Sequence, residues 1–175
     1  RRLRRRESLK LVGEDTHMSR IGILGAGAWG TALATAAARA GSEVVLQAHE
    51  PEVADAINND HINTTYLPDV DLDPAIRATA LAEDTLDSDA VLVVAPAQHV
   101  RTVLAGIADK WPEGLPAIIC AKGIEQESCA LMSEVVADVL PQAPISVLSG
   151  PTFAIEVARD LPTAVTFAAD KAVAD

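Results

Sequence analysis

Three glycines, Gly25, Gly27 and Gly30, stand between a short apolar run, "RIGIL", and an alanine-rich stretch, "ATAAARA". Alanine is the strongest helix former and glycine one of the weakest. The arrangement therefore sets a strand, a tight turn and a helix directly after one another. The segment "GAGAWG" (25–30) fits G-x-G-x-x-G and stands in the context that the pattern requires, after a strand and at the opening of a helix. Gly25 permits the turn, Gly27 has no β-carbon and lets a pyrophosphate approach the backbone, and Gly30 lets the helix pack closely on the sheet. The first turn, which includes Ala28 and Trp29, offers free N–H groups and a partial positive charge to phosphates. The same glycines are also compatible with a tight turn that binds nothing.

The rest of the chain repeats the alternation. Strands are expected in "SEVVLQAH", "IRATA", "DAVLVVAP", "PAIICAKG", "PISVLSG" and "TAVTFAAD". Helices are expected from Ala28 to Gly41, from Pro51 to about Asn59, and in "LAEDTLD", "QHVRTVLAGIADKW", "CALMSEVVADVL" and "TFAIEVARD". "HINTTYLPDVDLDP" reads as a polar loop. Strands alternating with helices imply a Rossmann-like, doubly wound α/β fold, with a mostly parallel sheet and helices on both faces. The unbroken apolar run "DAVLVVAP" suits a strand covered on both sides. Ligands of such sheets bind beyond the carboxyl ends of the strands. The loops after Leu24, Ala48, Ala95, Ala121 and Ser149 are thus expected to line one crevice.

Charge and composition exclude several classes. Six basic residues against three acids make residues 1–17 net basic, so the remainder is more acidic than the chain total of −11. An acidic body with 3% aromatics argues against nucleic-acid binding, which needs basic surface and stacking rings. Two cysteines, Cys120 and Cys129, make no disulfide framework and no zinc site, and Cys120 reads as a buried thiol. No apolar run is long enough to span a membrane. A reduced, cytoplasmic setting is the simplest expectation. Residues 1–17 lack the apolar core of a secretory signal and read as a disordered or non-native arm, with Met18 as the natural start and 18–175 as a dinucleotide-binding domain. A basic targeting tail is the alternative.

Cofactor preference is expected at the end of the second strand, where an acid favours NAD and basic or neutral groups admit the 2′-phosphate of NADP. Gln47 and Ala48 occupy that region, His49 could meet a phosphate, and Glu50 follows. The signal is mixed and leans to NADP, or to both cofactors, over strict NAD.

The segments "GAGAWGTALA" (25–34), "INNDHINTTYLPDVDL" (57–72), "AKGIE" (121–125) and "LSGPTFAIEVARDLPTA" (148–164) together resemble the bacterial NAD(P)-dependent glycerol-3-phosphate dehydrogenases, from about Arg20 to the last residue. The resemblance implies reversible reduction of dihydroxyacetone phosphate to sn-glycerol 3-phosphate, which feeds phospholipid synthesis, and a possible homodimer. It implies that Lys122 touches substrate and cofactor, that Gly150 and Thr152 contact substrate, and that Gly25, Gly27, Ala28, Trp29, Gly30, His49 and Ala154 contact the cofactor. Lys122 has an independent physical reading, since an ammonium in the crevice stabilises negative charge created on a substrate oxygen. Thr152 reads equally well as a plain helix N-cap. "APAQHVR" (95–101) departs from the family's usual turn, with Ala97 in place of a hydroxyl residue. The resemblance also implies a further helical domain that carries the general-base lysine and most of the phosphate site, so no catalytic base and no metal ligand is assigned to these 175 residues. Two other readings share the glycine loop: the cofactor domain of a β-hydroxyacid dehydrogenase, and a non-catalytic, redox-sensing NAD(P)-binding module.

Overall fold

In the computed structural model, residues 19–169 are described; the arm assigned to 1–17 lies outside them. Seven strands form one sheet: β1 (Arg20–Leu24), β2 (Glu43–Gln47), β5 (Ile76–Thr79), β6 (Ala90–Val93), β7 (Ala117–Ile119), β8 (Ile145–Ser149) and β9 (Thr166–Ala169). Their order across the sheet is β5-β2-β1-β6-β7-β8-β9. Every neighbouring pair is parallel except β8 with β9, which runs antiparallel at the edge. The chain winds outward from β1 in one direction through β2 and β5, then returns to β6 and winds the other way. The reversal opens a crevice between the carboxyl ends of β1 and β6.

Side chains alternate along each strand, and the alternation builds two cores. Ile23, Val44 and Leu46 point to one face and pack with α1 (Ala28–Arg39) and α2 (Pro51–Asp60). Leu24, Val91, Val93 and Ile119 point to the other, under α3 (Ala97–Ala105) and α4 (Met132–Val139). Leu92 and Val94 join the first core, so β6 and its exit are apolar on both faces, as the run "DAVLVVAP" predicts. A short helix α5 (Ala154–Ala158) packs on α1, where Arg39 donates to the Ala158 carbonyl at 2.8 Å and pairs with Asp160.

Local sequence explains the element ends. Helix α1 stops in a Schellman motif: Gly41 takes φ +91°, its N–H bonds the Ala38 carbonyl, and Ser42 N–H bonds the Ala37 carbonyl. Helix α2 starts on Pro51 and stops at His61, which adopts the left-handed conformation. Three expectations need correction. The stretch read as a polar loop holds a small antiparallel pair, β3 (Ile62–Asn63) and β4 (Leu67–Asp71), whose Leu67 and Val70 are buried. The helix expected through Trp111 ends at Ala105, and a 3-10 turn, Ala108–Lys110, follows Gly106. The helix expected from Cys129 starts at Met132, because Cys129 itself has a positive φ of 57°.

Leu104 is fully buried between α3 and the sheet. Truncation to alanine at that position is expected to cost about 2–5 kcal/mol of unfolding free energy, read from urea denaturation.

Candidate functional site

The glycine loop joins β1 to α1 at the crevice. Gly25 has φ +114°, a conformation open to glycine, and its N–H bonds the Gln47 carbonyl at 3.1 Å. A β-carbon on Gly30 would lie 1.8 Å from the Gly25 carbonyl oxygen, so this position is glycine by packing. Gly27 differs: a β-carbon there would meet nothing within 4 Å. Its backbone is extended (φ −64°, ψ 178°), and it caps α1 without a side-chain hydrogen bond. The first-turn N–H groups of α1, beginning with Ala28 and Trp29, have no acceptor within the helix. The Trp29 indole nitrogen is buried without a hydrogen-bond partner. An open, donor-rich cradle at a glycine that protein packing does not require fits a bound pyrophosphate.

The loops after the other strands close the same edge. His49 lies on an exposed bend just past β2, and Glu50 caps α2. The Tyr66 hydroxyl donates to Glu50 Oε1 at 2.9 Å, and that carboxylate raises the phenol's pKa. Beyond β7, Cys120 is buried, and burial pushes its thiol up to about 12. Lys122 follows on an exposed turn, where its Nζ donates to the Gly150 carbonyl at 3.1 Å. This bond brings two of the expected substrate residues together. Gly150 also has a packing reason to be glycine, since a β-carbon would lie 2.5 Å from the Ala164 carbonyl oxygen.

The N-cap alternative for Thr152 does not hold. Phe153 occupies the N-cap of α5, and Thr152 Oγ1 is a buried hydroxyl without a partner. Ala154 is the first residue of that five-residue helix.

Two α3 side chains hold the Lys122 loop, and sequence reasoning missed both. Gln98 donates to the Ile124 carbonyl at 2.9 Å and accepts the Gln126 N–H at 2.9 Å. Arg101 grips Glu125 through Nε at 2.9 Å and Nη2 at 3.0 Å, and also pairs with Asp138. Ser128 donates to the same buried carboxylate. The bonds from Arg101, then that from Ser128, hold the Glu125 carboxyl below its ordinary pKa, and the two acids raise that of Arg101. Asn63 was missed as well: it is fully buried under the glycine loop. No local pattern marks these residues, because the groups that their side-chain N–H donors hold stand 24 or more positions away. Among the described residues, no group of three or more His, Cys, Asp or Glu is placed to hold a metal, and no helix is long and apolar enough to cross a membrane.

Comparison with known proteins adds the family context. Residues 20–174 match the family model described as the NAD-dependent glycerol-3-phosphate dehydrogenase N-terminus. A glycerol-3-phosphate dehydrogenase (NAD(P)+) of Paramagnetospirillum magneticum is 60% identical over 151 residues, covering 86% of this chain and 55% of that protein. That of Rhodospirillum rubrum is 58% identical over 157 residues, covering 89% and 45%. The chain thus spans about half the length of the curated relatives it matches. Among solved structures, glycerol-3-phosphate dehydrogenase from Coxiella burnetii superposes with a TM-score of 0.82 at 35% identity, over 89% of this chain and 48% of that one.

The lowered pKa of Glu125 has a stability consequence. The advantage of the parent chain over Glu125→Gln is expected in full above the usual glutamate range, and to shrink as acidification protonates the paired carboxylate. Urea midpoints of the two chains across an acid-to-neutral series check this. A gap that stays constant on acidification would show that the ion pair is not its source.

Proposed function

The chain belongs to the NAD-dependent glycerol-3-phosphate dehydrogenase family through its N-terminal region, and from that membership we propose that it forms the dinucleotide-binding half of such an enzyme, reducing dihydroxyacetone phosphate to sn-glycerol 3-phosphate. The observation that carries the reading is the contrast within the glycine loop. Gly30 is demanded by packing, whereas Gly27 faces open space and is left unexplained unless a ligand comes close.

In this reading Gly27, Ala28, Trp29 and Gly30 hold the pyrophosphate by backbone N–H groups, Gly25, whose N–H is taken by the Gln47 carbonyl, lines the cofactor site as the turn off β1, and His49 meets a 2′-phosphate at the exit of β2. Ala154 and Lys122 complete the cofactor contacts. The bound nicotinamide supplies the hydride. Lys122, Gly150 and Thr152 take the substrate side. Lys122 uses one N–H on the Gly150 carbonyl and keeps two for substrate oxygens. Its charge stabilises the negative oxygen created as the carbonyl is reduced. The Thr152 hydroxyl, buried and unpartnered, offers a further hydrogen bond. Proton donation is assigned to a lysine in the helical half of the family's enzymes, outside these 175 residues. The same reading places the protein in the cytoplasm, assembles the enzyme as a homodimer and gives nucleic acids no part, in line with its net charge of −11.

The 175-residue chain is expected to bind NADPH more tightly than NADH, in a fluorescence titration, and to give no turnover of dihydroxyacetone phosphate. Gly27→Val is expected to cost about 1 kcal/mol of unfolding free energy, for the loss of a glycine N-cap, while NADPH affinity drops about tenfold or more. Gly30→Ala is expected to lose about 3 kcal/mol or more of stability. Equal NADPH affinity in Gly27→Val and the parent would count against the dinucleotide site, and turnover by the parent chain would count against its being half of the catalytic unit.

A further inference from the structure

Strand β3, between α2 and β4, holds a residue to which the reading above gives no part. Asn63 is 0% exposed. Its Nδ2 donates to the Ala26 carbonyl at 2.8 Å and to Thr31 Oγ1 at 2.8 Å. Its Oδ1 accepts the Tyr66 N–H at 3.0 Å. Thr31 Oγ1 in turn donates to the same Ala26 carbonyl at 3.3 Å. The Ala26 carbonyl is therefore held by two side chains from outside the loop.

We propose that Asn63 is a positioning residue for the dinucleotide: it locks the Ala26–Gly27 peptide so that the Gly27 N–H faces the incoming phosphates. A trans peptide is planar, and its C=O and N–H point to opposite sides. Holding the Ala26 oxygen on the buried side therefore aims the Gly27 N–H at the other side. Beside the same residue space is open, since a β-carbon on Gly27 would meet no atom within 4 Å. The lock answers a weakness of the motif. A peptide that leads into a glycine flips readily, because the flip changes ψ of Ala26 and φ of Gly27, and glycine tolerates either sign of φ. Flipped, it would present a carbonyl oxygen to an anion and an N–H to the amide of Asn63. Asparagine suits the position because it has two donors for Ala26 and Thr31 and an acceptor for Tyr66. Aspartate would keep the acceptor and set a charged oxygen against the Ala26 carbonyl.

The proposal rests on the dinucleotide reading, and the test separates the two. Asn63→Asp and Thr31→Val are made in the 175-residue chain. Each is titrated with NADPH at a temperature at which it is folded, and the Gly27 amide resonance is followed by nitrogen-15 NMR. Asn63→Asp is expected to lower NADPH affinity about tenfold or more. It is also expected to split or broaden the Gly27 resonance in the free protein. Thr31→Val, which removes one hydroxyl at nearly constant shape, is expected to do both to a smaller degree and carries the test if the aspartate variant does not fold. A purely structural asparagine would lower the melting midpoint but leave affinity within about twofold of the parent and Gly27 as one sharp resonance; that result overturns the proposal. If the parent chain binds no NADPH, the dinucleotide reading fails. The lock is then judged on the free protein: a second Gly27 conformer in the variants upholds it, and a single one overturns it.

Discussion

A helix can start after a connection of three residues only if its first turn lies almost against the first carbonyl of that connection. Here the missing side chain of Gly30 allows that approach, since any β-carbon would run into the Gly25 oxygen at 1.8 Å. The contact seats α1 on β1 and fixes where the free N–H groups of its first turn end up. The reversal of winding between β1 and β6 then puts those groups at a crevice instead of under a neighbouring connection. The other parts of the candidate site are built around this seat.

The opposite wall is held in a different way. The turn that carries Lys122 has little packing of its own, and Ile124 and Leu131 beside it are exposed. Side chains of α3 fix it instead, with Gln98 bridging backbone groups at 124 and 126 and Arg101 clamping the carboxylate of Glu125. One wall of the crevice is set by a steric limit and the other by hydrogen bonds and charge. A steric limit is indifferent to acid, whereas the Arg101–Glu125 pair weakens as acid protonates its carboxylate.

Local features of the sequence were readable because they are decided locally. The glycine spacing, the alanine-rich helix and the apolar strand of "DAVLVVAP" each follow from backbone preference or from burial on both faces, and the structure has them. The small β3–β4 pair was hidden because its two strands are short and mostly polar, with Asn63, Leu67 and Val70 as the buried members. The antiparallel course of β9 was hidden because strand direction is set by the connection, not by composition. The clamp on the Lys122 loop and the bonds that Asn63 donates to Ala26 and Thr31 join residues far apart in the chain. No periodicity or spacing points to such pairs before the fold brings them together.

Tyr66, His49 and Glu50 sit at the exit of β2, and the first two are exposed, whereas Gly25, Gly30 and Asn63 are fixed by backbone contacts or by bonds in the interior. On the proposed reading, gripping a dinucleotide and choosing between its two phosphorylation states fall to different residues under different constraints. Evolution can retune the choice by exchanging surface side chains at the strand exit while the grip stays unchanged. On that reading the glycine loop is the part of the site that packing holds fixed, and the β2 exit is where cofactor choice has room to change.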